Sequence, residues 1–384
     1  MDLRFSAEDE AFRAEVRDFL EEGLTGSFGA ARGRGGPGDE HALFDERLAW
    51  ERHLAAHGWT CVGWPKEHGG RGLTLHQQVI FHEEYARSRA PRPVGHFGET
   101  LLGPTLIAYG TPEQQQRFLP AIVSVTELWC QGYSEPDAGS DLANLSTQAH
   151  LDETAGEWVI DGQKIWTSLA HWADWCFVLA RTDRDAPKHK GISYLLVPMR
   201  QPGIEIRPIN QMTGDSEFNE VFFAGARTPA GNVVGEVHGG WTVAMGTLAF
   251  ERGVSTLGQN LGFLTEWEEI LERARGTGRA GHPAVRQRAV ALWIRLQLMR
   301  LNTLRVMSAG SETPPAALIN KLFWSSLHRD IGELAVDVIG DGDLDDRLRR
   351  LFLFTRADTI YGGSNQVQRN IIGERALGLP REPR

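Results

Sequence analysis

EWVIDGQKIWTS, residues 157–168, is where the chain changes from a helical to a strand period, and its reading decides the fold. It sets Asp161-Gly162 between two apolar runs, the strongest short-range signal for a β-hairpin. WCFVLAR (175–181), ISYLLVP (192–198), GIEIRPI (203–209) and EVFFAGA (220–226) follow as short apolar strands parted by Gly, Pro and Asp. No helical pattern interrupts them, so residues 121–235 are expected to form a small β-barrel or sandwich.

Working outward, both flanks read as helical. Upstream, Ser6 can cap a helix with Asp9 three residues on, and Phe12, Val16, Phe19 and Leu20 then share one face. Thr111-Pro112-Glu113-Gln114 is a second start, with Thr as cap, Pro at the first helical position and Gln at the third. ARGRGGPG (31–38) is a basic Gly-rich loop. Arg32 and Arg34 there could meet a phosphate, but a surface loop is the commoner fate of that composition. Downstream, Val285, Ala289, Leu292, Leu296, Met299, Thr303 and Val306 repeat in steps of four and three, the seam of a helix packed in a bundle. Leu327, Ile331, Leu334 and Val338 repeat the pattern. The expected class is α+β: a helical domain over 1–120, a β-domain over 121–235 and a helical bundle over 236–384.

Composition narrows the function. A formal charge of -10 excludes a general polyanion coat, so nucleic acid is not an expected partner and any anionic ligand needs a local cluster. Cys61, Cys130 and Cys176 are too few for a disulfide framework or a four-thiolate metal site, and suit a reducing compartment. The acidic start is neither a secretory signal nor a basic transit peptide, and no apolar run approaches membrane-spanning length. A soluble, cytoplasmic protein that does not enter the membrane is expected.

QGYSEPDAGSDL (131–142) carries the most chemistry. An apolar approach runs into a turn-rich loop whose N–H groups and hydroxyls suit a polar ligand, although Ser, Asp and Gly also make ordinary capped turns. With GQKIWTS (162–168), FNEVFF (218–223), NVVGE and GGW (232–241), LAFERG (248–253) and IYGGSNQVQRNIIGERALGLPR (360–381), it resembles the acyl-CoA dehydrogenases over nearly the whole chain. The resemblance implies an N-terminal helical domain, a middle β-domain and a C-terminal four-helix bundle. It implies FAD as cofactor, an acyl-CoA substrate, electron-transferring flavoprotein as acceptor, and assembly as a dimer or tetramer or with a homologous subunit. By that likeness Gln131, Tyr133 and Ser134 line the flavin, and Trp166 and Ser168 cover its ring. Gly139 and Ser140 flank the pantetheine and phosphates, Ser364 and Gln366 reach the flavin nucleotide across a subunit interface, and Arg275 meets the pyrophosphate. On period alone Trp166 would be an ordinary core aromatic, and Arg275 a helix-terminal charge.

One departure matters most. Short- and medium-chain members read Tyr-Glu-Gly-Thr in the C-terminal loop, and that Glu takes the substrate's α-proton; here the loop is Tyr361-Gly362-Gly363-Ser364. In the subset similar to isovaleryl- and long-chain enzymes the base lies in a Leu-x-x-Glu-Arg stretch, and LAFERG supplies Glu251 with Arg252 beside it. The alternative for Glu251 is a solvated helix carboxylate paired with a cation. A free Glu has a pKa of about 4.3 and is a weak base for a carbon acid, so burial must raise it. Gly362 has lost the acid but keeps an N–H for the thioester oxygen, and added room for the acyl group. Arg252 and Tyr361 are expected near the CoA thioester.

Other departures touch the FAD tail. ARGTGR (274–279) lacks the family's Phe-Gly, and Asp337 in VDVIGDGD (336–343) stands near a position where relatives carry Gln, a repulsive charge beside a diphosphate. His53 and His57 sit four apart but lack the Glu and third ligand of a metalloprotease motif. Competing functions are a non-catalytic or half-site partner subunit, a flavin monooxygenase or oxidase on the same fold, and a dehydrogenase using a different acid.

Overall fold

In the computed structural model, residues 6–36, 38–250, 255–308, 315–339 and 347–381 are described. The helices are α1 (Ala7–Gly23), α2 (Gly26–Ala30), α3 (Phe44–Ala56), α4 (Leu75–Arg87), α5 (Gly103–Tyr109), α6 (Pro112–Val123) and α7 (Gly240–Phe250), then α8 (Ser255–Gly276), α9 (Pro283–Met307), α10 (Pro315–Leu318), α11 (Asn320–Ile339), α12 (Arg347–Phe354) and α13 (Asn365–Ile371). Between α6 and α7 run β1 (Trp129–Gly132), β2 (Gln148–Asp152), β3 (Glu157–Ser168), β4 (Trp175–Arg181), β5 (Ile192–Pro198), β6 (Ile204–Ile209), β7 (Phe218–Pro229) and β8 (Val233–Val234). Both capping boxes form: Ser6 with Asp9 starts α1, and Thr111 with Gln114 starts α6. Each satisfies N–H groups that the first helical turn would otherwise leave unpaired.

The chain divides into two compact units. One comprises residues 1–24, 75–90 and 252–384; the other comprises residues 25–74 and 91–251. In the first, the predicted seam is buried up to its last position: Val285, Ala289, Leu292, Leu296, Met299 and Thr303 of α9 face inward and Val306 is half-buried, while Leu327, Ile331, Leu334 and Val338 of α11 are buried throughout. Helices α1 and α4 join this bundle through charge as well as apolar packing. Arg13 of α1 is buried and bonds both Glu83 and Glu84 of α4, while Arg300 of α9 takes the other oxygen of Glu83. Two adjacent carboxylates are thus matched by fixed guanidinium groups, which is what allows them to be buried.

In the second unit the strands form one sheet in the order β6-β7-β3-β2-β4-β5-β8, with β1 parallel to β4. β4 and β5 read as near-continuous apolar runs because both of their faces are covered. Phe177, Leu179, Tyr194 and Leu196 pack under α5, α6 and α7, whereas Cys176, Val178, Leu195 and Val197 pack against β3 and β7. The sheet folds back on itself, and the Thr228 hydroxyl at the end of β7 donates to the Leu196 carbonyl of β5 at 2.5 Å. The strand order runs from β6 to β8 without closing, and β5 packs against β7 over one apolar core, in the manner of the expected sandwich.

The hairpin expected at Asp161-Gly162 does not form. β3 runs unbroken through it, and the β2–β3 turn lies earlier, where Gly156 N–H donates to Asp152 C=O. The register shifts between Ile160 and Asp161 because β7 carries the extra residue there, Gly225, whose N–H donates to the Asp161 carboxylate at 2.8 Å. A Cβ at Gly162 would lie 2.5 Å from Thr147 Oγ1 and 2.7 Å from its Cα, so glycine is required by close approach rather than by a turn.

Candidate active site

The sequence QGYSEPDAGSDL leaves the sheet at the end of β1. Gln131 and Gly132 pair with Phe177 and Val178 of β4, and the buried Tyr133 ring meets Phe177 edge-on. The chain then turns, with Glu135 bridged to Ala138, leaving Gly139 and Ser140 exposed. Beneath this turn lies a pair that sequence reasoning did not single out. Glu135 is buried and bonded to Lys164 Nζ at 2.8 Å, to the N–H groups of Ser146 and Thr147, and to the Ser146 hydroxyl. Lys164, fully buried in β3, also donates to the Tyr133 carbonyl. Burial opposes ionisation of Glu135, but the Lys164 charge and the hydrogen bonds prevail and hold it down at about 2. Ser134 C=O accepts from Ile165 N–H at 2.9 Å, so the clamp ties the β1 exit to the strand carrying Trp166 and Ser168.

Trp166 is not the core aromatic its period favours. It sits at a bulge of β3 itself, between Lys164 and Thr167, with φ of 61° and 55% of its surface exposed. A positive φ is a strained position for a bulky side chain and marks a functional constraint. Its edge contact is Phe218, which pairs with Ser168. Next to it the Thr167 hydroxyl is buried with no hydrogen-bond partner among the described residues, as is the side-chain amide oxygen Oδ1 of Asn219 opposite. A strained, uncovered indole beside unsatisfied polar atoms suits a planar heteroaromatic group with a polar edge, and a flavin has that chemistry.

In the other unit, Tyr361, Gly362 and Ser364 form one loop leading into α13, whose first turn carries Gln366. Gly362 and Gly363 have φ of 60° and 86°, and Ser364 caps α13 by accepting from Val367 N–H. The Gly362 carbonyl accepts from Gln368 Nε2, but its N–H makes no hydrogen bond among the described residues. Arg275 is exposed in the last turn of α8, and its side chain has no partner among the described residues. Asp337 is bonded to Arg288, and its carbonyl accepts from Arg279, so its charge is matched within the bundle. Glu251 and Arg252 lie outside the described residues. The approach to them is anchored: one turn before Glu251, the buried Thr247 hydroxyl meets Thr105 of α5 at 2.8 Å.

Three described carboxyls are pushed up by burial: Glu51, Glu99 to about 7 and Glu217 to about 8. Each already accepts a main-chain N–H, from Val94 and Gly95, from Cys61 and from Gly38 respectively. No group of His, Cys, Asp and Glu among the described residues could hold a metal. No described helix is long and apolar enough to cross a membrane.

Residues 6–126, 130–225 and 238–377 match the N-terminal, middle and C-terminal domains of acyl-CoA dehydrogenases. The chain is 60% identical to acyl-CoA dehydrogenase IpdE1 of Mycolicibacterium smegmatis over 98% of its own length and 99% of that protein. Among solved structures it is similar to the Tcur3481-Tcur3483 steroid ACAD, at 33% identity and a TM-score of 0.86 with both chains fully covered. It is also similar to the ChsE4-ChsE5 complex from Mycobacterium tuberculosis, at 31% identity and a TM-score of 0.83, again with both chains fully covered. With the α+β architecture, the flavin-compatible bulge and these likenesses in place, the chain belongs to the acyl-CoA dehydrogenase family of FAD-dependent oxidoreductases.

Proposed function

We propose that this dehydrogenase converts an acyl-CoA to its 2-enoyl-CoA with Glu251 as α-proton base and the Gly362 N–H as a donor to the thioester oxygen. The observation that carries the reading is the uncommitted N–H of Gly362 in a loop that holds no carboxylate. As the α-proton leaves, negative charge builds on the thioester oxygen, and an N–H with no other partner among the described residues is free to stabilise it. Glu251 must then be desolvated to act near neutral pH. FAD, when bound, accepts the β-hydride. Gln131, Tyr133, Ser134, Trp166 and Ser168 would hold its ring, and Arg275, Ser364 and Gln366 its nucleotide. Gly139, Ser140, Arg252 and Tyr361 would meet the CoA thioester. The corresponding division of labour is a helical domain over 1–120, a β-domain over 121–235 and a bundle over 236–384, in a cytoplasmic enzyme that passes electrons to an electron-transferring flavoprotein.

A bulky, ring-bearing acyl group is the substrate class this reading favours. It is supported by the side chain missing at Gly362 and by the steroid ACAD among the structural relatives. Anaerobic bleaching of the flavin by a panel of acyl-CoAs tests it. Glu251→Gln should bind the same thioesters and slow bleaching by at least about a thousandfold, the scale of losing a general base and its placement. A fully active variant refutes the base.

Assembly with a homologous subunit is the companion reading. Val290, Trp293, Ile294, Leu298 and Leu301 are exposed on α9 away from its buried seam, an apolar stripe of the kind that marks an interface. The same stripe supports the second reading, a half-site partner subunit. Co-expression with a neighbouring dehydrogenase subunit separates them: full flavin and activity in the chain purified alone rejects the half-site role.

A further inference from the structure

We propose that His328 is a positioning residue for the Tyr361–Gly363 loop: bonded through both ring nitrogens to carboxylates, it fixes Asp358, which fixes Tyr361 and with it the backbone at Gly362. The inference rests on the reading of Gly362 as a thioester contact.

His328 lies in the middle of α11, 1% exposed on its side chain. Its Nδ1 is 2.6 Å from Asp358 Oδ2 and its Nε2 is 2.8 Å from Glu266 Oε2 on α8. Carboxylate oxygens only accept, so with both acids ionised both ring nitrogens must carry protons. The ring face stacks on Phe263 at 3.9 Å, which closes it to water and narrows its rotamers. Asp358 is fully buried in the short turn Ala357–Thr359, and its second oxygen accepts from the Tyr361 hydroxyl at 2.7 Å. Lys321 of α11 bonds the Asp358 carbonyl and stands over the rings of Trp324 and Tyr361.

The direction of this chain distinguishes it from a core-stabilising pair. It starts in the bundle interior and ends at Tyr361, which is 37% exposed and directly precedes Gly362. If stability alone were served, apolar side chains of similar volume would fill the site as well or better. Gly362 and Gly363 have no side chains, and both hold left-handed φ values. Their placement therefore depends on neighbours: the Tyr361 hydroxyl on one side, Gln368 and the Ser364 cap on the other. Without the Asp358 anchor, two glycines would sample a wide range of backbone angles.

The test uses the full chain as purified. In hydrogen–deuterium exchange without substrate, His328→Gln should speed exchange across residues 357–364 by about tenfold, the scale of one charge-assisted hydrogen bond. Residues 285–303 of α9 should be unchanged. Tyr361→Phe removes only the hydroxyl and should reproduce the loop effect, which covers the case in which His328→Gln folds poorly. In turnover, both variants should lower kcat about tenfold with KM for the acyl-CoA little altered, since the oxyanion contact tightens in the transition state. Unchanged loop exchange in either folded variant, or an effect spread evenly over the bundle, overturns the proposal. Because exchange is read without substrate, that failure is separate from failure of the Glu251 and Gly362 reading. Faster loop exchange with unaltered kcat would reject the link to Gly362 itself.

Discussion

The β1 exit and the Tyr361 loop are each held from beneath by buried charge, yet the two clamps respond differently to their surroundings. Under the β1 exit, Lys164 faces one carboxylate whose remaining capacity is filled by main-chain N–H groups and a hydroxyl. Under the loop, a histidine bridges two carboxylates, one of which passes the constraint to a tyrosine. In the first pair the Lys164 charge and the hydrogen bonds hold Glu135 down, while burial pushes the Lys164 ammonium itself below its usual range. The second depends on an imidazolium whose proton can leave within a few pH units of neutrality. The β1 exit is thus held by a carboxylate bonded at several points, whereas the Tyr361 loop is held through a histidine that titrates.

The largest way to break the first clamp is Lys164→Met. It strands the Glu135 carboxylate in the interior, and about 3–5 kcal/mol of stability should go, read as a fall in thermal midpoint. Adding Glu135→Leu should restore only part of it, because the Ser146 and Thr147 N–H groups then lose their acceptor.

A pH series sharpens the contrast. Burial works against charging His328, but Glu266 and Asp358 overcome it and push its pKa up to about 9, against about 6.5 in the unfolded chain. A raised basic group stabilises fully below its unfolded pKa and loses that stabilisation as pH rises through the folded one. Roughly 3 kcal/mol should therefore disappear between about pH 6.5 and 9.5 in the wild type, and the pH dependence should flatten in His328→Gln. The groups facing the ring are Glu266 from α8 and Asp358 from the 357–359 turn, with Lys321 and Tyr361 bonded to Asp358. Glu135 behaves in the opposite sense. Its lowered pKa stabilises above about pH 4.5, and that contribution fades only as pH falls toward 2. Chemical denaturation across pH 3–10 checks both limbs.

The smallest effect belongs to the local signals. Thr111→Ala removes the cap of α6 and should lower stability by about 1 kcal/mol in chemical denaturation, with no change in pH dependence.

That ranking follows what the sequence makes legible. Caps and seams are written in neighbouring residues, so the starts of α1 and α6 and the buried stripes of α9 and α11 could be read directly. The two register shifts between β3 and β7 could not. Asp161-Gly162 has a hairpin's composition, but β7 pairs along the whole strand and Thr147 crowds the glycine, both settled by chain remote from the dipeptide. Trp166 has a core aromatic's spacing and becomes exposed because the strand bulges beside Lys164, whose partner Glu135 is far back in the chain. His328, Asp358 and Glu266 likewise come from three elements, with no spacing that signals them. The site resemblance rested on short motifs, and the residues that hold those motifs in place lie outside them.

The exposed indole of Trp166 also makes the protein an optical instrument. Of the chain's 12 tryptophans, only Trp166 and, at 45%, Trp293 on α9 are exposed. One lies in each compact unit, so a small neutral quencher such as acrylamide meets these two rings most readily, the half-buried Trp172, Trp175, Trp241 and Trp267 less so and the buried rings least. A planar ligand laid over the β3 bulge would shield the first emitter and leave the second accessible. A subunit seated on α9 would do the reverse, so one titration of fluorescence can register cofactor loading and assembly as separate events.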